Sequence, residues 1–149
     1  KVFTMDKKTE EEKRKPFLYR YFVKIPEAGK FVLLDGGWMD EVTKDRLHGK
    51  TEEEEYTKRI HSIKRFERQL TDNGYLVMKF FFQISQKEQK KRIDALKEDK
   101  NTKWRVSSKD DWQNKHYDKC QKVFDRYLND TNVPADPWYL CDQARPFQN

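Results

Sequence analysis

Four short apolar segments alternate with longer amphipathic patterns along this chain, and the alternation restricts the folds that it can adopt. The apolar segments are residues 1–5, 31–34, 75–84 and 138–141. Their length and their content of Val, Leu, Ile and Phe are typical of strands, whereas apolar residues between them recur at helical spacing. Because parallel strands need long crossover connections, the sequence predicts an α/β fold with a parallel sheet wrapped by helices.

The carboxyl ends of parallel strands form the edge at which such folds bind their ligands. Three of the predicted strands are followed by polar residues, namely Asp35, Ser85 and Asp142. We therefore expect these three residues to lie at one edge of the sheet.

Capping residues and helix breakers predict where the helices begin. Thr9 precedes three glutamates, which favours a helix start, and Pro16 predicts either a kink or a later start. From Thr51, apolar residues recur at helical spacing for about five turns. The remaining predicted elements are a helix that begins at Ser85, a polar loop over residues 97–108 and a helix over residues 108–128. The aromatic residues expected in the core are Tyr56, Phe66, Phe80, Phe81 and Phe82.

The segment FVLLDGGWMDE, residues 31–41, raises the question of what Asp35 does. Two glycines, a methionine and two further acids follow it, where a phosphate site would need positive charge. From the residues alone, Asp35 either positions a metal ion or forms a turn or helix cap. The phosphate-binding pattern GxxxxGK followed by Ser or Thr does not occur in the sequence.

The chain is basic, with a formal net charge of +6 and a pI near 9.2. This charge favours polyanionic partners without choosing between nucleic acid, polyphosphate and an acidic membrane. Lys100, Lys103 and Arg105 lie around Trp104, and the cluster is either a clamp on a polyanion or solvated surface charge.

Cysteine usage and the lack of a long apolar run predict the compartment. Cys120 and Cys141 show no CxxC spacing for zinc, and no apolar run approaches the roughly 20 residues of a membrane span. The sequence therefore predicts a cytoplasmic protein without a membrane partner.

Six segments, taken in their order and spacing, are similar to one known family. They read PFLYRYFVKIPEAG, FVLLDGGW, FERQLTDNGYLVMKFFFQIS, EQKKRIDAL, TKWRVSSKDDW and TNVPADPWYL. The set resembles the polyphosphate kinase 2 family, whose members move a phosphoryl group between inorganic polyphosphate and a nucleotide. The resemblance implies a P-loop kinase-like three-layer α/β/α sandwich with a parallel sheet and a helical lid at about residues 97–128. It also implies Mg²⁺ as cofactor, inorganic polyphosphate and AMP or ADP as partners, and no DNA or RNA.

The resemblance covers nearly the whole chain, and it implies a single domain over residues 1–149 that is incomplete at its N-terminus. In the family a strand and a phosphate loop precede the region where Lys1 stands, so we expect both upstream. By position, Asp35 resembles a catalytic and metal-binding aspartate, and Asp45 a second catalytic acid. The phosphate-binding or nucleotide-binding positions implied in the same way are Arg20, Arg46, Lys103 and Arg105.

After Asp35 the family pattern is arginine, serine, tryptophan, tyrosine and, two residues on, another arginine. This chain has Gly36, Gly37, Trp38, Met39 and Glu41 at those positions. A glycine and a glutamate in place of two arginines lower the local charge by about three units, which should weaken the stabilisation of a transferring phosphate.

Some family members are fusions of two homologous domains, and the pattern here resembles a domain with degraded catalytic motifs. We therefore predict a domain of a phosphotransferase that is itself catalytically impaired and serves a structural or polyphosphate-docking role. Two alternatives stay open: a truncated but otherwise active polyphosphate or nucleotide kinase, and a non-enzymatic polyanion-binding domain. Exposed sheet edges would also favour a homo-oligomer.

Overall fold

The first two strands form a parallel pair, as the alternation predicts. The computed structural model describes residues 1–5 and 7–142. Strand β1 (Val2–Thr4) lies beside β2 (Leu33–Asp35), with Val2 opposite Leu33 and Thr4 opposite Asp35. Helices connect them, and this arrangement confirms the predicted α/β class.

The helical region between these strands is shorter than predicted. A capping box joins Thr9 to Glu12 and begins α1 (Glu10–Lys13), and a separate short helix, α2 (Tyr19–Phe22), follows Pro16. Proline lacks an amide donor and disfavours helical geometry in the residue before it, so the chain breaks here instead of kinking.

Helix α3 (Trp38–Leu47) was not predicted, although its sequence carries a helix signal. Asp40 and Glu41 lie in its first turn, where carboxylates interact favourably with the helix dipole. From the sequence, these two acids are interpreted only as negative charge at a place where a phosphate site would need positive charge.

Helix α4 (Glu53–Asp72) confirms the helix predicted from Thr51. Its buried apolar residues follow the predicted spacing: they are Tyr56, Ile60, Ile63, Phe66 and Leu70. Gly74 adopts a φ of +80° just past the end, a conformation that glycine accepts without strain.

The second parallel pair joins β3 (Lys79–Gln83) and β4 (Trp138–Asp142). Between them lie α5 (Gln86–Glu98), a 3₁₀ turn (Lys103–Arg105), α6 (Ser108–Lys115) and α7 (Tyr117–Thr131). The predicted helix over residues 108–128 is thus two helices, because His116 leaves helical geometry with φ of −107° and ψ of 32°. Ser85 caps α5 as predicted.

The chain divides into two compact units, Lys1–Phe66 and Glu67–Asn149. Burial follows the predictions for Tyr56 and Phe66 but not for every apolar strand residue. Phe80 and Phe82 point to the same side of β3, and both are exposed, as is Phe31. The prediction of a buried strand at residues 31–34 and of three core aromatics in β3 is therefore wrong in part, since strand residues alternate between two faces.

Among residues 1–5 and 7–142, no helix combines the length and the apolar character needed to cross a membrane. In the same residues, no three His, Cys, Asp or Glu side chains form a group that could hold a metal ion. Cys120 and Cys141 are both free thiols.

Candidate functional site

Strand β2 ends at Asp35, and the turn that follows brings a second carboxylate close to it. Gly36 has a φ of +72°, and a Cβ atom added to it would lie 2.6 Å from Oδ2 of Asp40. Burial raises the pKa of Asp40, and the charge of Asp35 raises it further. Asp35, which is predicted to be catalytic and to bind metal, thus has Asp40 as an acidic neighbour. The sequence pattern does not assign Asp40 to the site.

Arg20, predicted to bind phosphate, is buried in α2 and paired with carboxylates. Its Nη1 lies 3.2 Å from Oε1 of Glu41, and its Nε lies 3.5 Å from Oε1 of Glu12. The side chains of Arg20 and Glu41 are only 8% and 12% exposed. A buried guanidinium is stable only when carboxylates neutralise it, and here they do so within the protein.

Glu41 is the centre of this group, which we call the Glu41 cluster: Lys8, Glu12, Arg20, Tyr21 and Glu41. Its Oε2 lies 3.1 Å from Nζ of Lys8. The Tyr21 hydroxyl donates to the carbonyl of Gly37 at 3.3 Å. Burial raises the pKa of Tyr21, and the charge of Glu41 adds to the increase. The glutamate that departs from the family pattern therefore organises local packing.

Asp45, the second predicted catalytic acid, forms an ion pair with the next helix. Its Oδ2 accepts a hydrogen bond at 2.9 Å from Nη1 of Arg59 in α4. Arg59 also donates to Glu55 at 2.9 Å. In this arrangement Asp45 connects α3 to α4.

Arg46, predicted to bind phosphate or nucleotide, has three partners within its own unit. It donates to Glu53 through Nη2 and to the carbonyl of Thr51 through Nη1 at 2.9 Å. Its guanidinium also lies 5.6 Å from the ring centre of Tyr56. These contacts connect the end of α3 to the start of α4.

Lys103 and Arg105 differ from the other two predicted cations because their side chains are exposed. No carboxylate within the described part of the chain forms an ion pair with either of them. Between them Trp104 is exposed, and its indole donates to the carbonyl of Asn101 at 2.8 Å. The guanidinium of Arg105 lies 5.3 Å from the Trp104 ring centre. This segment, residues 103–105, presents two cations and an aromatic face to solvent.

The sequence points to Arg20, Asp45 and Arg46 but not to the residues with which they form ion pairs. Glu53 and Arg59 lie outside the six segments that resemble the family. From the sequence, Glu41 is interpreted only as the replacement of an arginine. The available signal was charge complementarity: a buried arginine implies a nearby carboxylate, and Arg20 lies in an apolar stretch. Whether Asp35, Ser85 and Asp142 share one edge stays a prediction.

A family model described as polyphosphate kinase 2 matches residues 1–146. Among curated proteins, a polyphosphate:AMP phosphotransferase of Pseudomonas syringae pv. tomato is 33% identical over 95% of this chain and 28% of the relative. A protein of the same name from Pseudomonas aeruginosa is 32% identical over 91% of this chain and 27% of the relative. The chain thus spans little more than a quarter of these two proteins.

Solved structures give the same result for the fold. The crystal structure of polyphosphate kinase 2 from Arthrobacter aurescens TC1 matches with a TM-score of 0.89 and 28% identity, over 94% of this chain and 50% of that one. One from Pseudomonas aeruginosa, described as a polyphosphate kinase 2, matches with a TM-score of 0.88 at 24% identity, over 94% of this chain and 31% of that one. These matches confirm the predicted P-loop kinase-like α/β fold, of which this chain corresponds to a part.

Proposed function

The chain belongs to the polyphosphate kinase 2 family, and from that premise we propose that it docks polyphosphate within a polyphosphate:nucleotide phosphotransferase without catalysing transfer itself. One observation carries the proposal. Of the four cations expected at phosphates, Arg20 and Arg46 are neutralised by glutamates, whereas Lys103 and Arg105 are exposed and unpaired among the described residues.

Phosphoryl transfer depends on cations that neutralise the charge of the transferring group. Next to Asp35 the chain has Gly36 and Glu41 at the two arginine positions of the family pattern. Glu41 adds negative charge and also forms an ion pair with Arg20. Asp45, as the other acid, is held by Arg59. These contacts support impaired catalysis.

The carboxylates at the end of β2 fit a divalent cation such as Mg²⁺. Asp35 is exposed and Asp40 lies close enough for their charges to interact, and carboxylate oxygens are the ligands that Mg²⁺ prefers. A bound ion would neutralise phosphate charge. Arg20 and Glu41 would keep α2 and α3 aligned beside it, because their ion pair joins these helices.

Docking of polyphosphate follows from the exposed segment 103–105. Two cations within three residues can follow a linear polyanion, and the stacking of Arg105 on Trp104 restricts the guanidinium before binding. AMP or ADP as acceptor follows from the family resemblance, and the cytoplasm as location follows from the cysteine usage; both belong to the same proposal.

The first test is an assay of the chain with AMP, polyphosphate and Mg²⁺. We expect no ADP, while a full-length polyphosphate:AMP phosphotransferase serves as positive control. Steady turnover by the chain would instead support the alternative, a truncated but active kinase.

The second test measures polyphosphate binding at increasing salt. We expect the double variant Lys103→Ala with Arg105→Ala to bind roughly tenfold more weakly at low salt, and to show a slope of log Kd against log salt that is smaller by about 1 to 1.5. The matched control is Lys64→Ala with Arg65→Ala, which removes the same two charges from an exposed face of α4. Equal losses in both variants would contradict a docking segment at residues 103–105.

A further inference from the structure

The junction of α6 and α7 is hydrogen-bonded to the end of β3 and to the first turns of α5. We call this group the Asn114 cluster: Ile84, Gln86, Gln89, Asn114 and Tyr117. The Asn114 amide donates to the carbonyl of Gln86 and to Oε1 of Gln89, both at 2.9 Å. In return, the Gln86 amide donates to the carbonyl of Asn114 at 2.8 Å. The Tyr117 hydroxyl donates to the carbonyl of Ile84 at 2.8 Å.

The chain that this cluster closes is a helical hairpin, residues 86–115. Helix α5 leads away from the cluster for 13 residues, which corresponds to about 20 Å of helix. Helix α6 leads back to it, since Asn114 lies in the last turn of α6. Within the hairpin, α5 packs against α6 and against the 3₁₀ turn. The exposed segment 103–105 therefore lies at the far end of the hairpin, and the Asn114 cluster lies at its base.

The contacts near the far end differ in kind from those at the base. There the Nζ of Lys97 lies 2.6 Å from Oδ1 of Asp111, and these two side chains are 43% and 53% exposed. The Thr102 hydroxyl donates to the carbonyl of Leu96 at 3.0 Å, which holds the turn to α5 itself. An ion pair this exposed stabilises little and weakens as salt is added. The hydrogen bonds of the Asn114 cluster join uncharged groups, so they attach the hairpin to β3 at any salt concentration.

We propose that Asn114 and Tyr117 are positioning residues for polyphosphate: they hold the hairpin at one angle to the β3–β4 sheet and thereby fix where Lys103 and Arg105 meet the ligand. This inference rests on the docking role proposed above for residues 103–105. Asn114 and Tyr117 act through the hairpin, because a rotation of roughly 10° at its base moves an end about 20 Å away by roughly 3 to 4 Å. A displacement of that size exceeds the length of a hydrogen bond to a phosphate oxygen.

A positioning role and a direct role differ in how binding depends on salt. Without the cluster, a smaller fraction of chains has the hairpin oriented for docking. The apparent Kd is the intrinsic Kd divided by that fraction, so affinity falls by the same factor at every salt concentration. Removing Lys103 and Arg105 instead removes contacts with phosphates and makes the slope of log Kd against log salt smaller.

The first experiment measures polyphosphate binding by the whole chain over a series of salt concentrations. Asn114→Leu with Tyr117→Phe removes an amide and a hydroxyl without changing the charge, and it should weaken binding about tenfold with an unchanged slope. The matched control, Gln121→Met, removes a neutral hydrogen bond between α7 and Gln83 outside the hairpin, and it should bind like the wild type.

The outcomes of this experiment separate the inference from the function on which it rests. If the wild-type chain binds and the double variant binds equally well, or with a smaller slope, the positioning role is overturned and the docking role stands. If the wild-type chain does not bind polyphosphate even at low salt, the docking role fails, and the positioning role fails with it.

The second experiment measures the hairpin angle without ligand, as a distance between two spin labels. One label is on Cys141 of β4 and the other on Lys100→Cys near the far end of the hairpin, in a chain that carries Cys120→Ala. We expect the double variant at positions 114 and 117 to shift or broaden the distance distribution by roughly 3 Å or more. Tyr117→Phe alone keeps the ring and should give a smaller change, so the test stands if the double variant fails to fold. Distributions that match the parent chain in both variants would overturn the inference.

Discussion

At the scale of single residues, Glu41 illustrates how one substitution can change the role of a site. In the family pattern an arginine at this position would add positive charge near phosphate. Here the glutamate accepts a hydrogen bond from Arg20 and forms an ion pair with Lys8, and the pair with Arg20 joins α2 to α3. The same side chain therefore supports the local fold and places a negative charge where the family pattern has a positive one.

We predict that Glu41→Gln lowers the free energy of unfolding by about 2 kcal/mol, because Arg20 loses its 3.2 Å contact with a carboxylate and stays largely buried. Urea denaturation measures the loss. The control is Glu27→Gln, which breaks an exposed pair with Lys30 and should cost less than about 0.5 kcal/mol. Similar losses in both variants would show that the buried pair with Arg20 contributes no more than a surface pair.

At the scale of elements, the turn from β2 to α3 decides how Asp35 is presented. Gly36 has a positive φ, and Gly37 has a φ of −72° and forms the N-cap of α3. The two adjacent glycines therefore adopt different backbone conformations. Only the first needs the conformational freedom of glycine.

A matched pair of serine variants tests this difference. Gly36→Ser should destabilise the protein by about 1 to 2 kcal/mol, because the new Cβ meets a left-handed backbone and the Asp40 carboxylate. Gly37→Ser should be neutral or stabilising, since no atom lies within 4 Å of its Cβ position and serine is a favoured N-cap. Thermal unfolding monitored by circular dichroism compares the two, and equal effects would contradict the assigned roles.

At the scale of the whole molecule, several large apolar residues in and beside the strands are exposed to solvent. Each described sheet has two strands, and the exposed apolar residues include Phe31, Leu33, Phe80, Phe82 and Leu140. Such faces and open edges favour association with other chains.

We predict that the chain self-associates at micromolar concentration, as sedimentation velocity would measure. Phe82→Lys should weaken the association by replacing an aromatic side chain that is 62% exposed with a charge. Gln83→Lys, one residue further along β3 and already polar and exposed, is the control. A wild-type chain that sediments as a monomer at all concentrations would contradict the prediction of a homo-oligomer.

The sequence by itself determined the alternation of strands and helices, the parallel strands and the family, because these depend on local patterns and on segments that keep their spacing. It predicted Asp35 at the end of β2, where the structure places it. The phosphate-binding roles of Lys103 and Arg105 stay predictions. The partners of Arg20, and the ion pairs of Lys79 with Glu67 and Asp136, were decided only by the tertiary structure. These ion pairs join residues 8 to 57 positions apart in the chain. Pairing at such distances depends on how elements pack and which charges become buried together, and neither periodicity nor local charge carries that information.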